Sequence, residues 1–310
     1  MINLLNYLKI LFEERRLVGK TAVETPICLM DDRVFKKIFS SDTEDSRKAL
    51  MHLLSACTHR EVTSVKVLNS ELLPVYMGGK SPRLDIRVNF NDGEAADIEM
   101  QIEKTNDDLK NRASQYSAMM QSAQIKRGSP YKNIKKVYQI FFLNHVLFKE
   151  SDKLPRRYGY REEKEHDLLT DTTEIIFYEM PKLDKLVKKY FSNKIGLETL
   201  SNEEKWCIFF RNHHKQNVKQ LINELCLKEE GIMLAVKQME KLPRSYIRYM
   251  TVEMDRMKND LDRYYVQKAA YEEGRTEEKL ENARKMKALG SSAEMIQTIT
   301  GLTIETINSL

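Results

Sequence analysis

Three polar residues lie close together in the stretch LDIRVNFNDGEAADIEMQ, residues 84 to 101: Asp85, Glu99 and Gln101. Two carboxylates brought face to face repel unless something compensates, and the compensators are a cation, a shared proton or basic neighbours. Held at bonding distance, such a pair offers hard oxygen donors to Mg²⁺ or Mn²⁺, and the backbone carbonyl of Met100 could supply another. A glutamine two residues past the second acid would lie on the same face of a strand. Its amide can orient water but cannot take a proton.

Whether the acids meet depends on register. Leu84, Ile86 and Val88 alternate with Asp85, Arg87 and Asn89, and Ala96, Ile98, Met100 and Ile102 alternate with Asp97, Glu99, Gln101 and Glu103. A two-residue Asp92-Gly93 turn would set every apolar residue against a polar one, which a half-buried sheet resists. A loop of Asn91, Asp92 and Gly93 puts glycine at the left-handed position and pairs Leu84 with Met100, Ile86 with Ile98 and Val88 with Ala96. It also sets Asp85 opposite Glu99. Two readings follow from the pattern alone: a solvated polar face with Arg83, Arg87 and Lys104 as compensators and Arg87 opposite Asp97, or a divalent-cation site.

The elements that must hold this hairpin can be read on either side of it. A helical pattern runs from Asp32 to Cys57 in two pieces, with Asp42 or Thr43 as cap of the second. EVTSVKVLN reads as a strand. After the hairpin come a helix over 106–126, the apolar run KKVYQIFFLNHVLF as a buried central strand, and EIIFYEMP as an edge strand stopped by Pro181. From Asp184 onward the pattern is helical. The expected organisation is an N-terminal helical extension (1–30), an α/β core with one mixed sheet (31–182), a helical subdomain (183–252), a charged helix or linker (253–287) and a small helical tail (288–310). In that tail Ser291 or Ser292 and Thr303 are the expected caps, and the unit reads equally as helix-turn-helix-like or as a docking or oligomerisation module.

Composition narrows the classes. The chain has 310 residues, 41% apolar and 31% charged, with a net charge of +5. This permits a sizeable core and a polyanionic partner. Cys28, Cys57, Cys207 and Cys226 are scattered without CxxC spacing, as expected of reduced thiols in a cytosolic protein. No apolar run is long enough for a membrane helix. His145 and the His213-His214 pair lack partners at metal-ligand spacing. Residues 104–136 carry eight Lys or Arg against two Asp, a local charge of +6.

Asp-x13-Glu-x-Gln on consecutive strands, followed by a helix and an apolar strand, resembles the PD-(D/E)XK nuclease core. More narrowly, the chain is similar to the bacterial recombination-promoting nuclease (Rpn)/putative transposase family, which has Gln where the wider superfamily has Lys. Asp85, Glu99 and Gln101 match its site positions. DDRVFKKIF resembles the family's opening helix through Asp32, Phe35, Lys36 and Phe39, and RASQYSAMM resembles its helix with Arg and Tyr four apart, here Arg112 and Tyr116. GSPYKNIKKVYQIFFLNHVLF, IIFYEMPKL, LSNEEKW and YEEGRTEEK resemble later segments. Ala95 and Ala96 stand where the family has bulkier residues, and the first twenty residues have no counterpart.

The resemblance implies a restriction-endonuclease-like α/β fold with a helical C-terminal extension. It also implies a Mg²⁺- or Mn²⁺-dependent DNA endonuclease in the cytoplasm, associated with the nucleoid. Asp85, Glu99 and the Met100 carbonyl would hold the metal, which would polarise the scissile phosphate and acidify water. Gln101 would orient that water, and Asp32 would support the site or cap its helix. Arg112, Tyr116 and Lys104 would contact DNA, with a solvated helix face and a buried tyrosine as the plainer account of the first two. A catalytically decayed DNA-binding accessory protein, a protein-interaction scaffold and a homo-oligomer are the other expectations.

Overall fold

The computed structural model describes residues 28–69, 84–102, 108–125, 127–243 and 274–310. The chain divides into two compact units, Met1–Leu242 and Pro243–Leu310.

The first unit begins with two helices. Helix α1 (Asp32–Phe39) is capped by Asp31, whose carboxylate accepts from the N–H groups of Arg33 and Val34. Helix α2 (Glu44–Thr58) is capped by Thr43, one of the two expected residues. Then come β1 (Val65–Val67), β2 (Ile86–Phe90), β3 (Glu94–Gln101), helix α3 (Leu109–Ser122), β4 (Val137–Leu143), β5 (Arg156–Arg161) and β6 (Leu168–Glu179). Helices α4 (Asp184–Phe191), α5 (Asn202–Asn212), α6 (Lys219–Lys228) and α7 (Glu230–Glu240) complete the unit.

The six strands form one mixed sheet in the order β1-β2-β3-β4-β6-β5. Strand β3 runs parallel to β4, and β4 to β6, while the remaining neighbours are antiparallel. This corrects the edge-strand expectation for EIIFYEMP. Strand β6 is paired on both sides, and the edge is β5, RRYGYR. That segment carries a glycine and three arginines and has no apolar alternation to mark it as a strand.

Strand parity sorts the sheet's two faces. Ile86, Val88, Ala96, Ile98, Met100, Tyr138, Ile140, Phe142, Ile176 and Tyr178 share one core with α1, α2 and the later helices, including Trp206, Phe209 and Phe210. Helices α4 to α7 therefore pack into the same core as the sheet. Helix α7 approaches α2 closely at Gly231, where a Cβ would come within 2.4 Å of the His52 Cβ. Residues on the opposite face, Phe141, Leu143 and Phe177, pack under Leu109 and Ala113 of α3, and Ala95 and Val137 pack under Met119 and Met120.

In the second unit, residues 274–288 are helical, followed by α8 (Ala293–Thr300) and α9 (Ile304–Ser309). Ser292 and Thr303 cap the last two helices, and Gly301 (φ +70°) ends α8 in the left-handed conformation. Ala283, Ile296 and Ile307 form a small core. No helix among the described residues is long and apolar enough to cross a membrane.

Candidate active site

The hairpin adopts the three-residue loop. Phe90 pairs with Glu94, Val88 with Ala96 and Ile86 with Ile98. Gly93 has φ +100° and Asn91 is also left-handed, its side chain accepting from the Thr63 N–H. One step beyond Ile86–Ile98, the acids meet. There the backbone ladder gives way to side chains. The Asp85 N–H donates to Glu99 Oε1 at 3.0 Å, and the Met100 N–H donates to Asp85 Oδ2 at 3.0 Å. Each acid thus ties down the other's segment: Glu99 lies within β3, and Asp85 immediately precedes β2.

Two cations converge on the pair. Lys36 Nζ, from α1, lies 2.7 Å from Asp85 Oδ1, and Arg112 Nη2, from α3, lies 3.6 Å from Glu99 Oε2. Asp32 does not cap α1. Its half-exposed carboxylate lies 3.5 Å from Lys36 Nζ, where it steadies the lysine that touches Asp85. Arg112 is largely buried and also lies over Tyr116, 5.9 Å from the ring centre. The Gln101 amide is on Glu99's face of β3 and makes no hydrogen bond among the described residues. Lys104 and Arg83 lie outside the described residues.

The polar face of the hairpin is buried on β3 at Asp97 and Glu99 and exposed at Asn89 of β2, which corrects part of the plainer, solvated reading. Arg87 does stand opposite Asp97, as it supposed. Yet Asp97 is 0% exposed and Glu99 3% exposed. Asp97 accepts a hydrogen bond from Gln139 of β4, another fully buried side chain. The α3 helix closing over this side of the sheet excludes water from the row.

Burial sets the electrostatics. It raises the Glu99 carboxyl to about 7, with the Asp85 charge adding and Arg112 opposing. Burial also holds Asp85 above its ordinary range despite Lys36. Asp97 is pushed up further, by burial and then by the charge of Glu99. Burial alone would lower the Lys36 ammonium, but the Asp85 carboxylate outweighs it and the pKa is raised.

This donor set fits a hard divalent cation. Its atoms are carboxylate oxygens, and a cation, the Lys36 ammonium, already occupies the space against Asp85. Among the described residues no group of three or more His, Cys, Asp or Glu side chains is placed to hold a metal. Two carboxylates suit Mg²⁺, which keeps several waters of its own.

Residue reasoning did not assign Lys36, Asp97 or Gln139 to the site. Lys36 had one signal, an Asp32–Lys36 spacing of one helical turn in a segment also carrying the apolar stripe. The alternation of Asp97 with Glu99 was visible, but its burial was not.

The geometry agrees with what comparison finds. A family model described as PD-(D/E)XK nuclease family transposase matches residues 29–270. The chain belongs to this family. No curated protein and no solved structure matches it. The mixed sheet flanked by helices, with helices at the C-terminal end, is the PD-(D/E)XK fold, so the family and fold expected from the resemblance both hold. Membership places the protein among nucleases associated with transposition, for which DNA is the substrate.

Proposed function

We propose that the protein is a metal-dependent DNA endonuclease that hydrolyses phosphodiester bonds in recombination or transposition. The observation that carries this reading is the Asp85–Glu99 pair, in which Glu99 accepts from the Asp85 N–H and Asp85 from the Met100 N–H, met by Lys36 and Arg112. Buried like charges are a cost that a structural role does not require.

Asp85 and Glu99, with the Met100 carbonyl, would hold Mg²⁺ or Mn²⁺. When bound, the cation supplies charge for the phosphate and acidifies water. Arg112 keeps Glu99 oriented across the gap between α3 and β3. Gln101, free to turn, offers its carbonyl and amide to a water beside Glu99. Lys36 balances Asp85 while no divalent cation is present. Arg112, Tyr116 and Lys104 form the proposed DNA contacts nearest the site, and a homo-oligomer is compatible with this reading.

The second reading is a DNA-binding accessory protein with a decayed site, favoured by the glutamine at 101, which cannot serve as a base. Incubating supercoiled plasmid with the protein and Mg²⁺, Mn²⁺ or EDTA separates the two. Metal-dependent nicking that disappears in Asp85→Ala supports hydrolysis at this site. Nicking unchanged in Asp85→Ala rejects the site, and binding without cleavage under every metal selects the accessory reading.

A further inference from the structure

A second group of cations lies across the sheet from the acid pair. Lys110 Nζ, from the first turn of α3, is 4.9 Å from the centre of the Phe148 ring. The Arg156 guanidinium, from β5, is 4.7 Å from the same ring and 5.6 Å from that of Tyr158. Neither cation has a carboxylate partner among the described residues, unlike Lys36, Lys136, Arg157, Lys182 and Arg211. The Arg156 Nε donates to Tyr158 Oη at 2.8 Å, and its two terminal amino groups have no acceptor among the described residues. Aromatic faces hold the cations in place while leaving their N–H groups unspent.

The base is rigid. Phe148 packs edge-on against Phe177 at 5.4 Å, and its N–H donates to the buried Glu179 at 2.7 Å. Tyr158 is 37% exposed, so aromatic surface lies open beside Arg156.

Register ties this group to the site. Glu99 pairs with Phe141, Phe141 with Phe177, and Phe177 with Arg156, a single row across four strands. Three strand spacings of about 4.8 Å set Glu99 and Arg156 about 14 Å apart on the same face. Helix α3 covers the two phenylalanines between them. It places Arg112 at one end, against Glu99, and Lys110 at the other, over Phe148.

We infer that Lys110, Phe148, Arg156 and Tyr158 form a track for the DNA backbone, gripping phosphates beside the segment that enters the acid site. At a rise of about 3.4 Å per nucleotide of a strand, the Arg156 contact falls about four nucleotides from the bond nearest Glu99. The partner is a polyanion because the free groups are all donors, and the row leads to a site read as acting on DNA. The inference rests on that reading.

The test is a fluorescence-anisotropy titration of the full chain with a labelled DNA duplex in EDTA, repeated across NaCl concentrations. Lys110→Gln/Arg156→Gln keeps both side-chain stems. It is expected to lower the slope of log affinity against log salt by about two, roughly one per phosphate contact. The melting temperature is measured alongside, and Lys110→Arg/Arg156→Lys should restore the slope. A slope unchanged in the Gln variant overturns the track, as does a Gln variant rescued for folding but not for binding by the charge-keeping pair. Tighter binding of an RNA duplex through these residues overturns the DNA assignment. Plasmid nicking by Asp85→Ala keeps the two claims separate. A changed slope with no cleavage by any variant retains the track and rejects hydrolysis. An unchanged slope with Asp85-dependent cleavage does the reverse.

Discussion

Replacing Glu99 by Gln should stabilise the metal-free protein, by an amount that grows as pH rises from about 4.5 to about 7 and is full above it. The Glu99 carboxyl titrates near 7 in the folded chain against an ordinary value of 4.5. At about 1.4 kcal/mol per unit of pKa, ionising it inside the fold costs about 3 kcal/mol. The sign follows from proton counts. Between pH 4.5 and 7 the folded chain holds a proton that the unfolded chain has released, so stability falls as pH rises through that window. Below it both states are protonated, and above it the full cost is present. Glutamine cannot ionise, and its carbonyl can still accept from the Asp85 N–H. Urea denaturation in EDTA should therefore find Glu99→Gln more stable than the parent by about 3 kcal/mol at pH 8.5, and the two nearly equal at pH 4.5. Adding Mn²⁺ at pH 8.5 should raise the stability of the parent and leave the variant nearly unmoved, because the cation binds the ionised pair. A stability difference independent of pH would refute the reasoning, since it would place the effect in packing rather than in the charge.

Lys36→Met removes the ammonium 2.7 Å from Asp85; the metal-free protein should lose about 1–3 kcal/mol at pH 8, with a larger Mn²⁺-induced rise in melting temperature than in the parent. An unchanged metal response in that melt would mean that the lysine does not share the cation position. Asp97→Asn keeps the shape of a fully buried carboxyl that accepts from Gln139, so urea midpoints at pH 8 should be equal to or above the parent's; a loss above about 2 kcal/mol would show that the charge itself is needed. Gly231→Ala would place a methyl 2.4 Å from the His52 Cβ, and thermal melts should report a loss of about 1–3 kcal/mol from overpacking between α2 and α7.

The hairpin was legible because its constraints are local and redundant. Six alternating apolar residues, a period of two and a glycine at the loop's left-handed position admit one register, and that register fixes where Asp85 and Glu99 stand. Strand β4 was legible for another reason: a strand covered on both faces must be apolar throughout, and Val137–Leu143 is buried along its whole length. Strand β5 carries neither signal. As an edge strand it has one partner, and RRYGYR leaves most of its side chains exposed. Nothing in its composition separates it from a loop. Its role follows only from the row Glu99, Phe141, Phe177 and Arg156, which joins four segments that no local pattern connects.

The same distinction explains why the acids could be paired from their residues while their environment could not. Polar alternation at Asp97, Glu99 and Gln101 is what a solvated face would show, yet Asp97 and Glu99 are buried. Burial is imposed by α3, whose Leu109, Ala113, Met119 and Met120 pack onto the flanking apolar residues and carry the helix over the polar ones. A water-facing Asp85–Glu99 pair would be a small perturbation, since exposed charges are well screened. Under α3 the same pair raises Glu99 to about 7 and draws Lys36 across from α1. The chemistry of this hairpin is therefore a property of the helix laid over it as much as of its own residues. Loosening α3 should lower the Glu99 pKa toward its ordinary value even with Asp85, Glu99 and Lys36 intact.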